Sequence, residues 1–176
     1  MKLDFDNTIY IISGPCGVGK SSVANKLAQN YKLSSHINGD ELYNMVVGGS
    51  VEPWKDDGQY LELLWSNINS LAVNFIKRGF TVVIDYVVFP EDLKLIKELK
   101  DRFQIKIKYI VLIAEAGIIR VRDSLRTENE KMGNRAVELL KEFEDKNIDD
   151  RFIINTSLKS IDETVSEIIK EDRFIL

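Results

Sequence analysis

Several things are scarce in this chain, and each scarcity removes a class of protein. A single cysteine, Cys16, cannot close an internal disulfide, so a reducing, cytoplasmic compartment is expected. The one histidine, His36, falls in a short apolar stretch with no partner for a metal ion, and is expected to fill a core or edge position. Three prolines in 176 residues argue against a disordered linker. No run approaches the roughly 18 unbroken apolar residues of a membrane span. Residues Met1 to Asp6 carry two acids and no apolar stretch, so no secretory leader is expected. A basic surplus is missing too: the net charge is -4, which disfavours nucleic acid as partner or substrate. What remains is a chain with 44% hydrophobic and 30% charged residues, long enough for one domain with a full core.

The most informative stretch is Gly14-Pro15-Cys16-Gly17-Val18-Gly19-Lys20-Ser21, followed by Ser22. It fits the phosphate-binding pattern GxxxxGK[ST] at every fixed position. The β-branched run Thr8 to Ser13 precedes it, as a buried parallel strand should. Val23, Leu27 and Ala28 then fall on one helical face. A strand that turns through glycines into a helix leaves backbone N–H groups pointing outward beside the positive helix end, which makes an anion cradle. Lys20 is placed to reach the β- and γ-phosphates, and the Ser21 hydroxyl to ligate Mg2+.

Further along, the alternation of strand and helix repeats. Leu33 to Ile37 predicts a second strand ending at Asn38-Gly39-Asp40, then a helix over Glu41 to Val47 stopped by Gly48-Gly49. Leu61, Leu64, Trp65, Ile68, Leu71, Ala72, Phe75 and Ile76 give the clearest helical spacing, with Trp65 toward the core. Phe80 to Asp85 reads as a central strand, and Leu93, Ile96 and Leu99 as the next helix. Ile105 to Ile113 predicts a fourth strand, exposed in its first half and buried in its second. Helices over Ala116 to Leu125 and Arg135 to Asp145 follow, then a fifth strand over Arg151 to Ile154 and a terminal helix around Ile161, Val165, Ile168 and Ile169. The expected architecture is α/β: three layers with helices on both faces of a five-stranded parallel sheet, and a short helical lid near residues 120–135.

Ligands in such sheets bind beyond the carboxyl ends of the strands. That rule gathers the phosphate loop, Asp40, Asp85 and Asn155-Thr156-Ser157 around one cleft. Asp40 is placed to take a proton from an acceptor hydroxyl, although it could equally be a helix cap. Asp85 could hold Mg2+ through water or orient the acceptor. Arg120, Arg122, Arg126, Lys131 and Arg135 form a cationic segment that could close over a nucleotide, or else a salt-bridged helix pair. Trp54 and Tyr86 lie in loops on the acceptor side.

These residues together resemble the P-loop small-molecule and nucleotide kinases, the group that includes gluconate kinase, shikimate kinase, adenylate kinase and chloramphenicol phosphotransferase. The likeness runs through GPCGVGKSS, INGDELYNMVVGG, VVIDYVVFP, VRDSLRTENEKMGNR and IINTS. It implies ATP and Mg2+ as cofactors and γ-phosphoryl transfer to a small hydroxylated molecule, gluconate-like or similar, by a monomer or homodimer. It implies acceptor activation by Asp40, with Lys20 and Arg126 as catalytic cations. Nucleotide contacts are implied for the phosphate loop, Arg122, Arg126, Asn155, Thr156 and Ser157. Acceptor contacts are implied for Asp40, Trp54, Asp85, Tyr86 and Arg135, and metal ligation for Ser21 and Asp85. A nucleoside or nucleotide kinase and a non-catalytic nucleotide-binding regulator are the alternatives. The sequence lacks a second basic residue near Asp40 to clamp an acceptor carboxylate, and has no Asn-Lys-x-Asp guanine signature.

Overall fold

The short apolar runs pair side by side as one parallel sheet in the order β2, β3, β1, β4, β5. The computed structural model describes residues 7–49, 51–128 and 131–176, apart from the side chains at positions 54 and 95. Its strands are β1 (Thr8–Ser13), β2 (Ser34–Asn38), β3 (Thr81–Asp85), β4 (Lys106–Ile113) and β5 (Ile153–Asn155). Between them run α1 (Lys20–Ala28), α2 (Gly39–Tyr43), α3 (Gln59–Ile76), α4 (Lys94–Phe103), α5 (Ala116–Ser124), α6 (Asn134–Asp145) and α7 (Ile161–Lys170). Among the described residues no helix is long and apolar enough to cross a membrane.

Successive strand residues point to opposite faces, and β1 shows the result. Ile9 and Ile11 join the core beneath α3 and α4, with Leu64, Trp65, Ile68 and Leu99. Tyr10 and Ile12 join a second core beneath α1 and α7, with Val23, Leu27, Val165 and Ile168. Every residue of β1 and β3 is buried, as their uniformly apolar sequences require. This is the three-layer P-loop NTPase fold expected from the alternation of elements.

The departures have physical causes. The helix expected over Glu41 to Val47 is shorter and earlier, because the Asn38 side chain caps it by accepting from the N–H groups of Asp40 and Glu41. The fifth strand starts at Ile153, since residues Asp150–Phe152 form a 3-10 turn capped by Asp149. The first half of β4 is not uniformly exposed. Lys106 faces solvent, but Lys108 is buried and its ammonium donates to the carbonyls of Ile168, Ile169 and Glu171, closing the C-terminal end of α7. Three bonds fix the loop after β3: the Ser13 hydroxyl exchanges a pair of hydrogen bonds with Val88, and the Tyr109 hydroxyl donates to the Val88 carbonyl.

Candidate active site

The loop between β1 and α1 has the backbone its glycines predict. Gly14, Gly17 and Gly19 stand at φ of 132°, 81° and 98°. Gly14 has a second constraint, since a Cβ there would lie 2.1 Å from the Leu112 carbonyl oxygen. Gly19 precedes α1 without a side-chain cap, and the first turn of the helix holds no acidic residue, so its N–H groups and dipole face the loop uncompensated. Lys20 is buried, and its ammonium donates to the Pro15 carbonyl at 3.0 Å, curled over the loop it serves. Cys16 packs against both halves of the core.

The far wall of this loop comes from the last strand. The Thr156 hydroxyl donates to the Val18 and Ile113 carbonyls at 3.1 Å each. Arg122 reaches from α5 to the Thr156 carbonyl at 2.9 Å, with longer contacts to the Thr156 hydroxyl and the Val18 carbonyl. Asn155 accepts from the Ser157 N–H, and the Ser157 hydroxyl accepts from the Glu115 N–H. Arg122 and Thr156 brace the phosphate loop and border a cavity of about 330 Å³ with Gly17, Gly19 and Arg126; Asn155 and Ser157 do not line it. A larger, shallower concavity of about 680 Å³ runs along the outer side of α1, past Ser21, Asn25 and His36. The smaller one has the backbone amides, the braced arginine and the second arginine that a nucleotide needs, so size is not the guide.

Sequence reasoning passed over Asp123. It is buried, and its carboxylate accepts from the N–H groups of Met132 and Gly133, pinning the return of the segment that carries Arg126. Its signal is an acid set among arginines, in a segment that also carries Glu128 and Glu130.

On the acceptor side, Asp40 is not the cap of α2; Asn38 has that task. The Asp40 carboxylate makes no hydrogen bond among the described residues. It is solvent-accessible, but the cleft walls stand close around it, and this desolvation raises its pKa, opposed by Lys20, reinforced by Asp85 and opposed again by Arg126. That set of influences brings Lys20, Asp40, Asp85 and Arg126 to one place. Asp85 is 2% exposed, and neither carboxylate oxygen has a hydrogen-bond partner. His36 is therefore more than filler: its Nε2 stands 3.3 Å from Asp85 Oδ1, the two residues coming from adjacent strands.

Tyr86 is buried, and its ring lies on Gly39, where a Cβ would come within 2.5 Å of Cδ2. Burial raises its pKa, with the Asp40 charge adding to the effect. Gly39→Ala is accordingly expected to displace this ring and raise the acceptor KM about tenfold, with the ATP KM unchanged in two-substrate kinetics. The expectation for Trp54 lies outside the described side chains. Arg135 pairs with Glu142 and Glu138 on its own helix.

The residues fit the groups that the resemblance implies. Two orphaned carboxylate oxygens on Asp85 and the hydroxyl of Ser21 are hard donors suited to Mg2+. Among the described residues no cluster of three or more His, Cys, Asp or Glu could cage a metal alone, so the ion would depend on phosphate oxygens as well.

A family model described as an AAA domain matches residues 9–144. The chain belongs to that family. Among curated proteins none matches it significantly. Solved structures share the fold at low identity. The tunicamycin resistance protein of Deinococcus radiodurans aligns with a TM-score of 0.63 at 20% identity over 92% of each chain. A gluconokinase from Sinorhizobium meliloti 1021 gives 0.62 at 19%, covering 94% of this chain and 91% of its own. The Mycobacterium tuberculosis APS kinase, solved with AMPPNP and APS, gives 0.65 at 15%, covering 92% and 95%. The likeness to P-loop kinases read from the motifs thus extends to the fold of nearly the whole AAA domain chain.

Proposed function

We propose that this AAA domain protein is an ATP- and Mg2+-dependent phosphotransferase that moves the γ-phosphoryl group of ATP to a hydroxyl of a small molecule. The observation that carries the reading is the Asp40 carboxylate, which leaves the capping of α2 to Asn38, makes no hydrogen bond among the described residues, and is near enough to Lys20 and Arg126 for their charges to act on it. A purely structural aspartate at a strand end would be a cap or half of an ion pair. Kinship of fold with a gluconokinase and an APS kinase supports the same class of chemistry.

Bound MgATP supplies the transferable phosphoryl group and a divalent charge on its oxygens. The chain's residues do the rest. The amides of the loop and of the first turn of α1 hold phosphate oxygens, and Lys20 leaves the Pro15 carbonyl for them. Asp85 and Ser21 hold the metal side. Asp40 accepts the hydroxyl proton as the acceptor oxygen attacks in line. Arg126 stabilises charge spreading over the transferred group, while Arg122 keeps the loop braced against Thr156. Asp123 anchors the cationic segment through the N–H groups of Met132 and Gly133.

The test is ADP release from purified protein with ATP, Mg2+ and a panel of hydroxylated metabolites. Acceptor-dependent release supports the reading. Saturable ATP binding without release for any acceptor would make the protein a nucleotide-binding regulator. Arg126→Ala is expected to lower kcat about 10²-fold or more without altering the melting temperature, because the side chain is exposed. A matching loss of stability would assign it a structural role.

A further inference from the structure

The metal side of the site is built on one face of the sheet. Asp85 ends β3, and the parallel pairing of β2 with β3 sets Asn38 beside Asp85 and His36 beside Val83. Residues two apart on a strand share a face, so His36, Val83 and Asp85 lie on the side of α1, where Val83 joins the core with Val23 and Leu27. Ile37 and Ile84 lie on the other side, in the core beneath α3. The single histidine is thereby placed diagonally across from the carboxylate, with Nε2 3.3 Å from Oδ1.

This pair carries more than packing requires. Nε2 and both carboxylate oxygens are buried without a hydrogen-bond partner among the described residues, and the 3.3 Å approach is what they have instead. A carboxylate at that depth is costly without donors. The last torsions of His and Asp are soft, so a small rotation aligns the two groups. His36 also lines the open concavity outside α1 together with Ser21 and Asn38, whereas Asp85 does not. The ring therefore borders solvent on one side and the carboxylate on the other.

We propose that His36 is a positioning residue for the metal side: its Nε2–H holds Oδ1 of Asp85, which fixes the plane of the carboxylate and leaves Oδ2 uncommitted for the cation. This inference rests on the reading of Asp85 and Ser21 as metal ligands in a phosphotransferase. In its neutral form an imidazole supplies a donor without a second charge, so Asp85 keeps its negative charge for a divalent ion. A lysine or arginine in the same place would compete with that ion. Loss of such an outer partner weakens metal binding by about 10- to 100-fold.

The test is the binding of Mn2+, which takes the same oxygen ligands as Mg2+ and is paramagnetic. Free Mn2+ is followed by electron paramagnetic resonance in titrations of the full chain, held in excess over a non-hydrolysable ATP analogue, and the metal-free affinity for the analogue is measured by calorimetry. His36→Phe and the smaller His36→Leu, neither with a donor, are expected to weaken Mn2+ about tenfold or more, with metal-free analogue affinity and circular dichroism unchanged. His36→Gln, whose side-chain amide restores a donor, is expected to stay within about threefold of wild type. In an Asp85→Asn background, His36→Phe should add less than about twofold, because the ring acts through the carboxylate. Equal Mn2+ affinity in wild type and either donorless variant would overturn the inference, as would a loss in His36→Gln as large as theirs, or one undiminished in the Asp85→Asn background. ADP release with acceptors is followed in parallel. Phosphoryl transfer by a chain whose Mn2+ affinity ignores His36 would remove the positioning role and leave the phosphotransferase reading standing. Mn2+ affinity that depends on His36, without transfer to any acceptor, would uphold the positioning role and remove the phosphotransferase reading.

Discussion

With asparagine at position 40, phosphoryl transfer is expected to fall by about 10²- to 10⁴-fold while MgATP affinity is retained and stability at neutral pH rises. The activity loss follows from removing the group proposed to take the acceptor proton. The stability gain follows from the titration of the carboxylate. Desolvation raises the Asp40 pKa above its ordinary value of 3.8, against the pull of Lys20 and Arg126 and with the push of Asp85, so the folded chain holds this proton more tightly than the unfolded chain. Stability from that preference is complete below the unfolded value and is lost as pH rises through the folded one. Above the folded pKa the ionised carboxylate carries the whole of that loss, and asparagine, which does not ionise, avoids it. Melting temperatures of the two proteins should therefore diverge as pH rises from about 4 and run parallel above the folded pKa. The acid limb of kcat should lie above the ordinary carboxylate range. If Asp40→Asn instead keeps its activity or lowers stability at pH 7, the residue is not the base of this site.

Gly14→Ala has the largest expected effect on the fold. The added methyl would meet the Leu112 carbonyl at 2.1 Å, at a φ of 132° that L-residues rarely adopt. Both obstacles are backbone, so no rotamer change relieves them. A destabilisation of about 4 kcal/mol or more is expected in urea unfolding, placing the change among the exceptional single substitutions. Gly19→Ala gives the contrast. Its Cβ would meet nothing within 4 Å, so strain at φ 98° is the only penalty and the loss should be the smaller of the two. Equal losses would mean that the contact with β4 is not what fixes Gly14.

The strands and the phosphate loop were legible because their signals are local. Thr8 to Ser13 and Phe80 to Asp85 are uninterrupted apolar runs, and only burial on both faces suits them. The positions of Asp40 and Asp85 followed from their place at strand ends. What sequence could not supply were pairings made across the sheet. His36 looked inert until register set it beside Asp85, 49 positions away along the chain. Lys108 reads as a surface lysine until α7 presents three carbonyls to it. Asp123 was hidden because its partners are backbone N–H groups in a loop, which leave no mark in side-chain identity. Arg135 is a cation of the same segment whose partner, Glu142, stands about two turns along its helix, a pairing that sequence spacing alone does not select.

The account depends first on the phosphate loop gripping a triphosphate. Calorimetric titration of the purified chain with MgATP tests this most directly, with Lys20→Ala alongside. One site per chain is expected, with affinity weakened at least about tenfold by the substitution and heat released only when Mg2+ is present for full affinity. Absence of saturable binding to the wild-type chain, or equal binding by Lys20→Ala, would contradict it.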